Sequence, residues 1–302
     1  MLEKITQRHP SRRAPKASSQ PRYTVWRSAG YKSILMVFVL GIACPAAAQT
    51  MSMVVHPEFT ADRAQGVYKP LRNYLEETTG FRIKLVTPRD YRVYWRKLKA
   101  GEKFDIAIDA PHLAAYRIRR FKYRPLVRAK SPTRFELITD MSVNSPDGLD
   151  DSRVVTMPSP SMGYALLTHL YKNPLQQPVV VSEALSWRDA VEIIFSGEAQ
   201  GAMIPEWLAK RYPQLHSVYR SKVYPGTSIT THPDVSDKVR DTLRETLLHL
   251  HEVPTLRQVE VELNVERFEA ASRSEYRGLS NLLNYTFGYK KDMVGVPSIK
   301  RR

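Results

Sequence analysis

Apolar and polar residues along this chain alternate in two rhythms that change over at short intervals. Met51–Val55 (MSMVV) is a continuous apolar run and predicts a strand. From Tyr68 to Thr79, Leu71, Tyr74 and Leu75 fall on one helical face, and Gly80 supplies the stop. Phe81–Val86 (FRIKLV) alternates apolar with basic residues, as a half-buried strand does. Tyr91, Tyr94, Trp95 and Leu98 restore the helical period up to Ala100, Phe104–Ile108 (FDIAI) predicts another strand, and a helix follows from Pro111 to about Phe121. The middle repeats the pattern, with strands at Arg134–Thr139, Val154–Met157, Val179–Val181 and Ala202–Ile204, and helices at Tyr164–Tyr171 and Trp187–Phe195. Ser236–His251, with Val239, Leu243, Leu247 and Leu250, reads as a long helix, and the rest as helical, charged and trailing into a basic tail. This alternation predicts an α/β fold with a largely parallel sheet, without internal repeats or long linkers.

The first 48 residues follow neither rhythm. Residues 1–32 are polar and basic, Ile34–Ala43 is unbroken apolar sequence, and Pro45 precedes Ala46-Ala47-Ala48. That order is the n-region, h-region and A-x-A site of a secretory signal peptide, so cleavage is expected after Ala48 and the protein is expected in the periplasm. The apolar run is about half of the roughly 20 residues a membrane-spanning helix needs. Cys44 is the one cysteine, so the mature chain would carry no thiol nucleophile and no disulfide.

Charge changes the picture less than its size suggests. The leader holds three Lys, five Arg and one Glu, or +7 of the formal +16, leaving about +9 on residues 49–302. An exported basic protein is not expected to meet nucleic acid; its surface suits anionic solutes or lipid, or is simply solvated. HExxH, GxSxG and GxxxxGK[ST] are all missing, and no enzyme activity, cofactor or metal is expected.

One constellation stands out. Ser159-Pro160-Ser161-Met162-Gly163-Tyr164 joins the strand at Val154–Met157 to the next helix. The first N–H groups of a helix lack internal partners and carry partial positive charge, so hydroxyls and a glycine there can cradle an oxyanion. The same serines would equally serve as ordinary N-caps.

Several segments, in order, resemble the phosphonate-binding periplasmic proteins of ABC transporters: Tyr68-Lys69-Pro70-Leu71 with Tyr74-Leu75, Lys84–Val86 with Asp90-Tyr91, Gly101–Pro111, Ser159–Tyr164, Ser196–Ala199 with Gly201-Ala202, Ser221–Thr230, then Phe268 and Tyr276. The resemblance implies a two-lobed type 2 periplasmic-binding-protein fold, with residues 49–135 and 232–302 in one lobe, 136–231 in the other, and crossings near Arg134–Thr139 and Val223–Thr231. It implies a small anionic ligand of the phosphonate or phosphate class, a monomer, and an inner-membrane permease as partner. A ligand-sensing subunit reporting to a membrane sensor, or an interaction module with a degenerate pocket, are the alternatives. At matched positions, Ser159, Ser161 and the N–H groups of Met162 and Gly163 would hold the oxygens. Tyr91 would donate or wall the cleft, or else face the core. Asp109 and His112 would form the rim, with His112 otherwise an ordinary surface histidine. Arg188 stands where the family has a histidine, facing the cleft as an anion fork or water as a helix-start charge. Gln200 and Pro205-Glu206 depart from the family's acidic positions, which weakens the case for an amino-substituted ligand.

Overall fold

The computed structural model describes residues 49–289 apart from Lys172, Pro174 and Leu175. The leader, its cleavage site and Cys44 lie outside the described residues, as does the basic tail after Tyr289.

β1 (Thr50–Val55), β2 (Arg82–Val86) and β3 (Ile106–Asp109) run parallel, joined by α1 (Ala61–Thr79) and α2 (Tyr91–Ala100). α1 starts well before the expected Tyr68, because Pro70, which reads as a first-turn residue, lies inside the helix. Asp90 caps α2 by accepting from the Val93 N–H at 2.7 Å. α3 (Pro111–Phe121) and β4 (Arg124–Ala129) follow, and the chain leaves this sheet.

The second sheet holds β5 (Phe135–Thr139), β6 (Arg153–Val155), β7 (Val179–Val181), β8 (Gly201–Pro205) and β9 (His216–Arg220). Its helices are α4 (Met162–Leu170), α5 (Trp187–Phe195) and the single turn α6 (Glu206–Ala209). The chain then returns as β10 (Ser228–Thr231), α7 (Asp237–Leu248), α8 (Arg257–Leu263) and β11 (Phe268–Ala270). The strand orders are β11-β4-β10-β3-β1-β2 and β7-β6-β8-β5-β9.

Three findings correct the sequence expectations. Both sheets are mixed rather than largely parallel: β10 enters between β3 and β4 antiparallel to both, and β5 does the same between β8 and β9. These are the strands on which the chain arrives from the other sheet. Ser228–Thr231, expected in the second lobe, pairs in the first sheet, while Phe135 already belongs to the second. The stretch after 252 is not uniformly helical, because Phe268–Ala270 covers the edge that β4 would otherwise expose.

Two crossings join the sheets, and they are zipped together. Thr133 and Tyr224 exchange both backbone hydrogen bonds, at 2.9 and 2.8 Å. Gly226 makes this possible, since a Cβ there would sit 2.5 Å from the Ser131 carbonyl and 2.7 Å from the Ala129 Cβ. An apolar layer including Leu71, Leu75, Ile83, Ile229 and Leu243 lies within the first lobe. A second layer runs without a break from Tyr91 and Leu113 through Phe135 and Met162 to Trp187 and Ile204, so the lobes are packed shut. Each fully buried side chain of Leu or Met size contributes about 1.5–3 kcal/mol. The C-terminal segment ties both sides: Trp95 donates to the Phe287 carbonyl at 2.8 Å, and the Tyr285 ring meets His169 of α4 at 4.7 Å.

Candidate ligand site between the lobes

In open α/β sheets ligands collect beyond the carboxyl ends of the strands, and those ends of both sheets converge on one cavity. It has a volume of about 140 Å³ and is walled by Glu58, Ala110 and Pro111 from the first lobe and Met162, Trp187 and Pro205 from the second.

The second-lobe wall is built by the turn into α4. The buried Ser161 hydroxyl accepts from the Tyr164 N–H at 3.2 Å and donates its only proton to the Met157 carbonyl at 2.7 Å. It therefore caps the helix and has no proton left for a ligand. Ser159 is half-buried and stands outside the cavity lining. Met162 lines the cavity, and among the described residues neither its N–H nor that of Gly163 has an acceptor. Gly163 is glycine for closeness: a Cβ would lie 2.4 Å from the Thr156 hydroxyl and 2.8 Å from the Met203 carbonyl. Ser186 caps α5 by accepting from the Asp189 N–H at 3.1 Å, which sets Trp187 against the cavity and leaves exposed Arg188 on its lining. Arg188 thus meets both descriptions, exposed to water and on the cavity lining.

The first-lobe wall is dense with ionisable groups. His56 follows β1; its Nδ1 lies 3.0 Å from the Ile108 carbonyl and its Nε2 lies 3.1 Å from Glu58. Burial pulls the His56 imidazole down, but the charge of Glu58 and its hydrogen bond outweigh that, and the net shift is upward. Burial pushes Glu58 up, yet His56 and the Trp187 indole N–H carry it below the usual carboxylate value. The two form an ion pair with little net charge. Tyr91 is buried in the same region, and burial with Glu58 close by holds its phenol well above the ordinary value.

Asp109 and His112 sit elsewhere than a rim. Asp109 is fully buried, accepting from Tyr94 and from the Arg117 Nε at 2.7 Å. Arg117 in turn lies over the rings of Tyr94, Phe104 and Tyr123 at 5.2–5.8 Å. This is a structural ion pair beneath the wall. His112 is likewise fully buried, not a surface histidine: its Nε2–H donates across the lobes to the Pro160 carbonyl at 2.8 Å. Burial drives the His112 pKa down to about 4, and its Nδ1 has no partner to receive a second proton.

His56, Glu58, Phe59 and Trp207 were not singled out from sequence. The signal available was position, since His56-Pro57-Glu58-Phe59 directly follows the first apolar strand. At the departures from the family pattern, Gln200 accepts from the Arg153 N–H at 2.9 Å, and Glu206 is engaged by Arg134, Lys210 and Arg220. Among the described residues no group of three or more His, Cys, Asp or Glu side chains is placed to hold a metal, and no helix is long and apolar enough to cross a membrane.

Two mixed α/β lobes, two zipped crossings and a cavity between strand ends define a two-lobed substrate-binding protein. Over residues 53–276 the sequence matches the family described as ABC transporter, phosphonate, periplasmic substrate-binding protein, and the chain belongs to that family. It is similar in fold to PhnD1 from Prochlorococcus marinus in complex with methylphosphonate, at 11% identity and a TM-score of 0.66, covering 78% of this chain and 97% of that one. XAC2383 from Xanthomonas citri bound to ATP matches at 13% identity and a TM-score of 0.63, covering 78% and 98%. A binding protein component of an ABC phosphonate transporter from Pseudomonas aeruginosa matches at 14% identity and a TM-score of 0.63, covering 78% and 85%. No curated protein matches the sequence.

Proposed function

We propose that this chain is exported to the periplasm, captures a small phosphorus oxyanion between its lobes, and delivers it as a monomer to an inner-membrane permease. The observation that carries the reading is the start of α4, where the Met162 and Gly163 N–H groups lack an acceptor beside the interlobe cavity. Two such donors, with the helix dipole behind them, suit a tetrahedral anion. Arg188 adds a guanidinium on the cavity lining, whereas Tyr91 is buried in the apolar layer and is not among the lining residues. The His56–Glu58 pair is close to neutral overall, so the carboxylate does not by itself repel an anion. Opening proceeds about the crossings at 130–134 and 221–227, and the His112–Pro160 hydrogen bond latches the closed form. The methylphosphonate in PhnD1 makes that compound the first probe.

The test is thermal unfolding of the ligand-stripped protein with methylphosphonate, phosphate, sulfate and acetate at fixed ionic strength. A phosphorus oxyanion at about a hundred times its Kd stabilises the native state by roughly 2.7 kcal/mol. If none of the phosphorus oxyanions raises Tm, the anion-capture reading fails.

A further inference from the structure

The cavity that Met162 lines holds more than an oxyanion requires. Its walls carry four aromatic side chains, Phe59, Phe135, Trp187 and Trp207, and three guanidinium groups, Arg63, Arg188 and Arg211. Two of the cations are stacked on two of the rings, Arg63 over Phe59 at 5.2 Å and Arg211 over Trp207 at 5.4 Å, one pair from each lobe. Arg63 is also committed to Glu262 at 2.8 Å. Arg188 and Arg211, by contrast, pair with no carboxylate among the described residues. A stacked guanidinium is already ordered and loses little freedom when it grips an anion.

Size points the same way. A methyl substituent would leave much of the aromatic wall untouched. We infer that the favoured ligand carries a planar aryl body next to its phosphorus oxyanion, with the ring against Trp207 and Phe59 and the anion between the start of α4 and the Arg188 and Arg211 guanidinium groups. The inference rests on the anion-capture reading and narrows its ligand class to aryl phosphonates and aryl phosphates.

The experiment is isothermal titration of the full chain, stripped of carried-over ligand, with methylphosphonate and phenylphosphonate as a matched pair. Phenylphosphonate is expected to bind at least tenfold more tightly. Trp207→Ala is expected to erase that preference, weakening phenylphosphonate far more than methylphosphonate, which loses only the ordering of Arg211. Trp207→Phe keeps a ring beneath Arg211 and is expected to restore most of the preference, which separates ring contact from loss of fold. Equal affinity for the two ligands overturns the aryl inference and leaves anion capture standing. A phenyl preference that survives Trp207→Ala also overturns it, because the ring then binds elsewhere. Binding of neither ligand overturns both readings.

Discussion

The two walls of the cleft are built on opposite principles. On the first-lobe side Asp109, Arg117 and Tyr94 satisfy one another in the interior, and His56 and Glu58 form a second closed pair. On the second-lobe side, among the described residues, the helix start keeps backbone donors without acceptors, and exposed Arg188 forms no ion pair with a carboxylate. Ionisable groups are thus most numerous where least binding capacity remains. A charged residue at a strand end is evidence of a ligand site only after its partners are counted.

Breaking the first wall should cost the most stability and the least binding. Arg117→Ala leaves Asp109 buried and unpaired, and is expected to destabilise the fold by about 3–5 kcal/mol in urea titration. Methylphosphonate affinity of the fraction that stays folded should change less than twofold; a tenfold loss would move Asp109 into the binding machinery.

The latch between the walls gives the next largest effect, through pH. His112 titrates at about 4 in the folded protein against 6.5 in the unfolded chain. The folded form therefore binds fewer protons, and the stability from neutral His112 is complete above 6.5 and lost as pH falls towards 4. At 1.36 kcal/mol per unit the loss reaches about 3 kcal/mol. His56 works in the other direction: its raised pKa gives stability that is full below 6.5 and lost as pH rises, while Glu58 contributes above 4.5 and loses that contribution in acid. Denaturant titrations at pH 7.5 and 4.5 isolate the latch when run beside His112→Gln, which should show a smaller drop than the unmodified chain. An equal drop would remove His112 from the account.

Breaking the second wall should cost binding out of proportion to stability. Gly163→Ala forces a methyl group against Thr156 and Met203. Overpacking of that kind destabilises by about 1–3 kcal/mol, and displacement of the helix start should weaken methylphosphonate more than tenfold. The smallest stability change is expected for Arg188→Gln, within about 0.5 kcal/mol because the side chain is exposed. A lost charge-assisted hydrogen bond of about 1.5–3 kcal/mol predicts roughly tenfold weaker binding or more. Unchanged affinity would leave Arg188 a solvated charge.

The period of the apolar residues made β1 to β3, α2, α5 and the strands of the second sheet's centre legible, and the position of Ser159–Gly163 after β6 was legible with them. What could not be read was pairing. Nothing local in Ser228–Thr231 says that it crosses back between β3 and β4, or that Phe268–Ala270 closes an edge. The same limit applies to the site. Ser161 and Asp109 have the right chemistry for a ligand, but Met157 and Arg117, four and eight residues away, engage them first. His56 and Glu58 were open to the rule that ligands gather at strand ends, whereas Trp207 and Arg211 enter the cavity only through the fold of the second lobe.

The central claim is that the backbone donors at the start of α4 hold the oxyanion, and a pair of substitutions at Met162 tests it most directly. Proline suits the first position of a helix, and Ser161, at φ −55° and ψ 159°, already has the extended conformation a following proline requires. Met162→Pro removes one donor, while Met162→Ala removes the same buried side chain and keeps the N–H. Isothermal titration with methylphosphonate should show binding retained in Met162→Ala and weakened at least tenfold in Met162→Pro. Equal affinity in the two variants would contradict the claim.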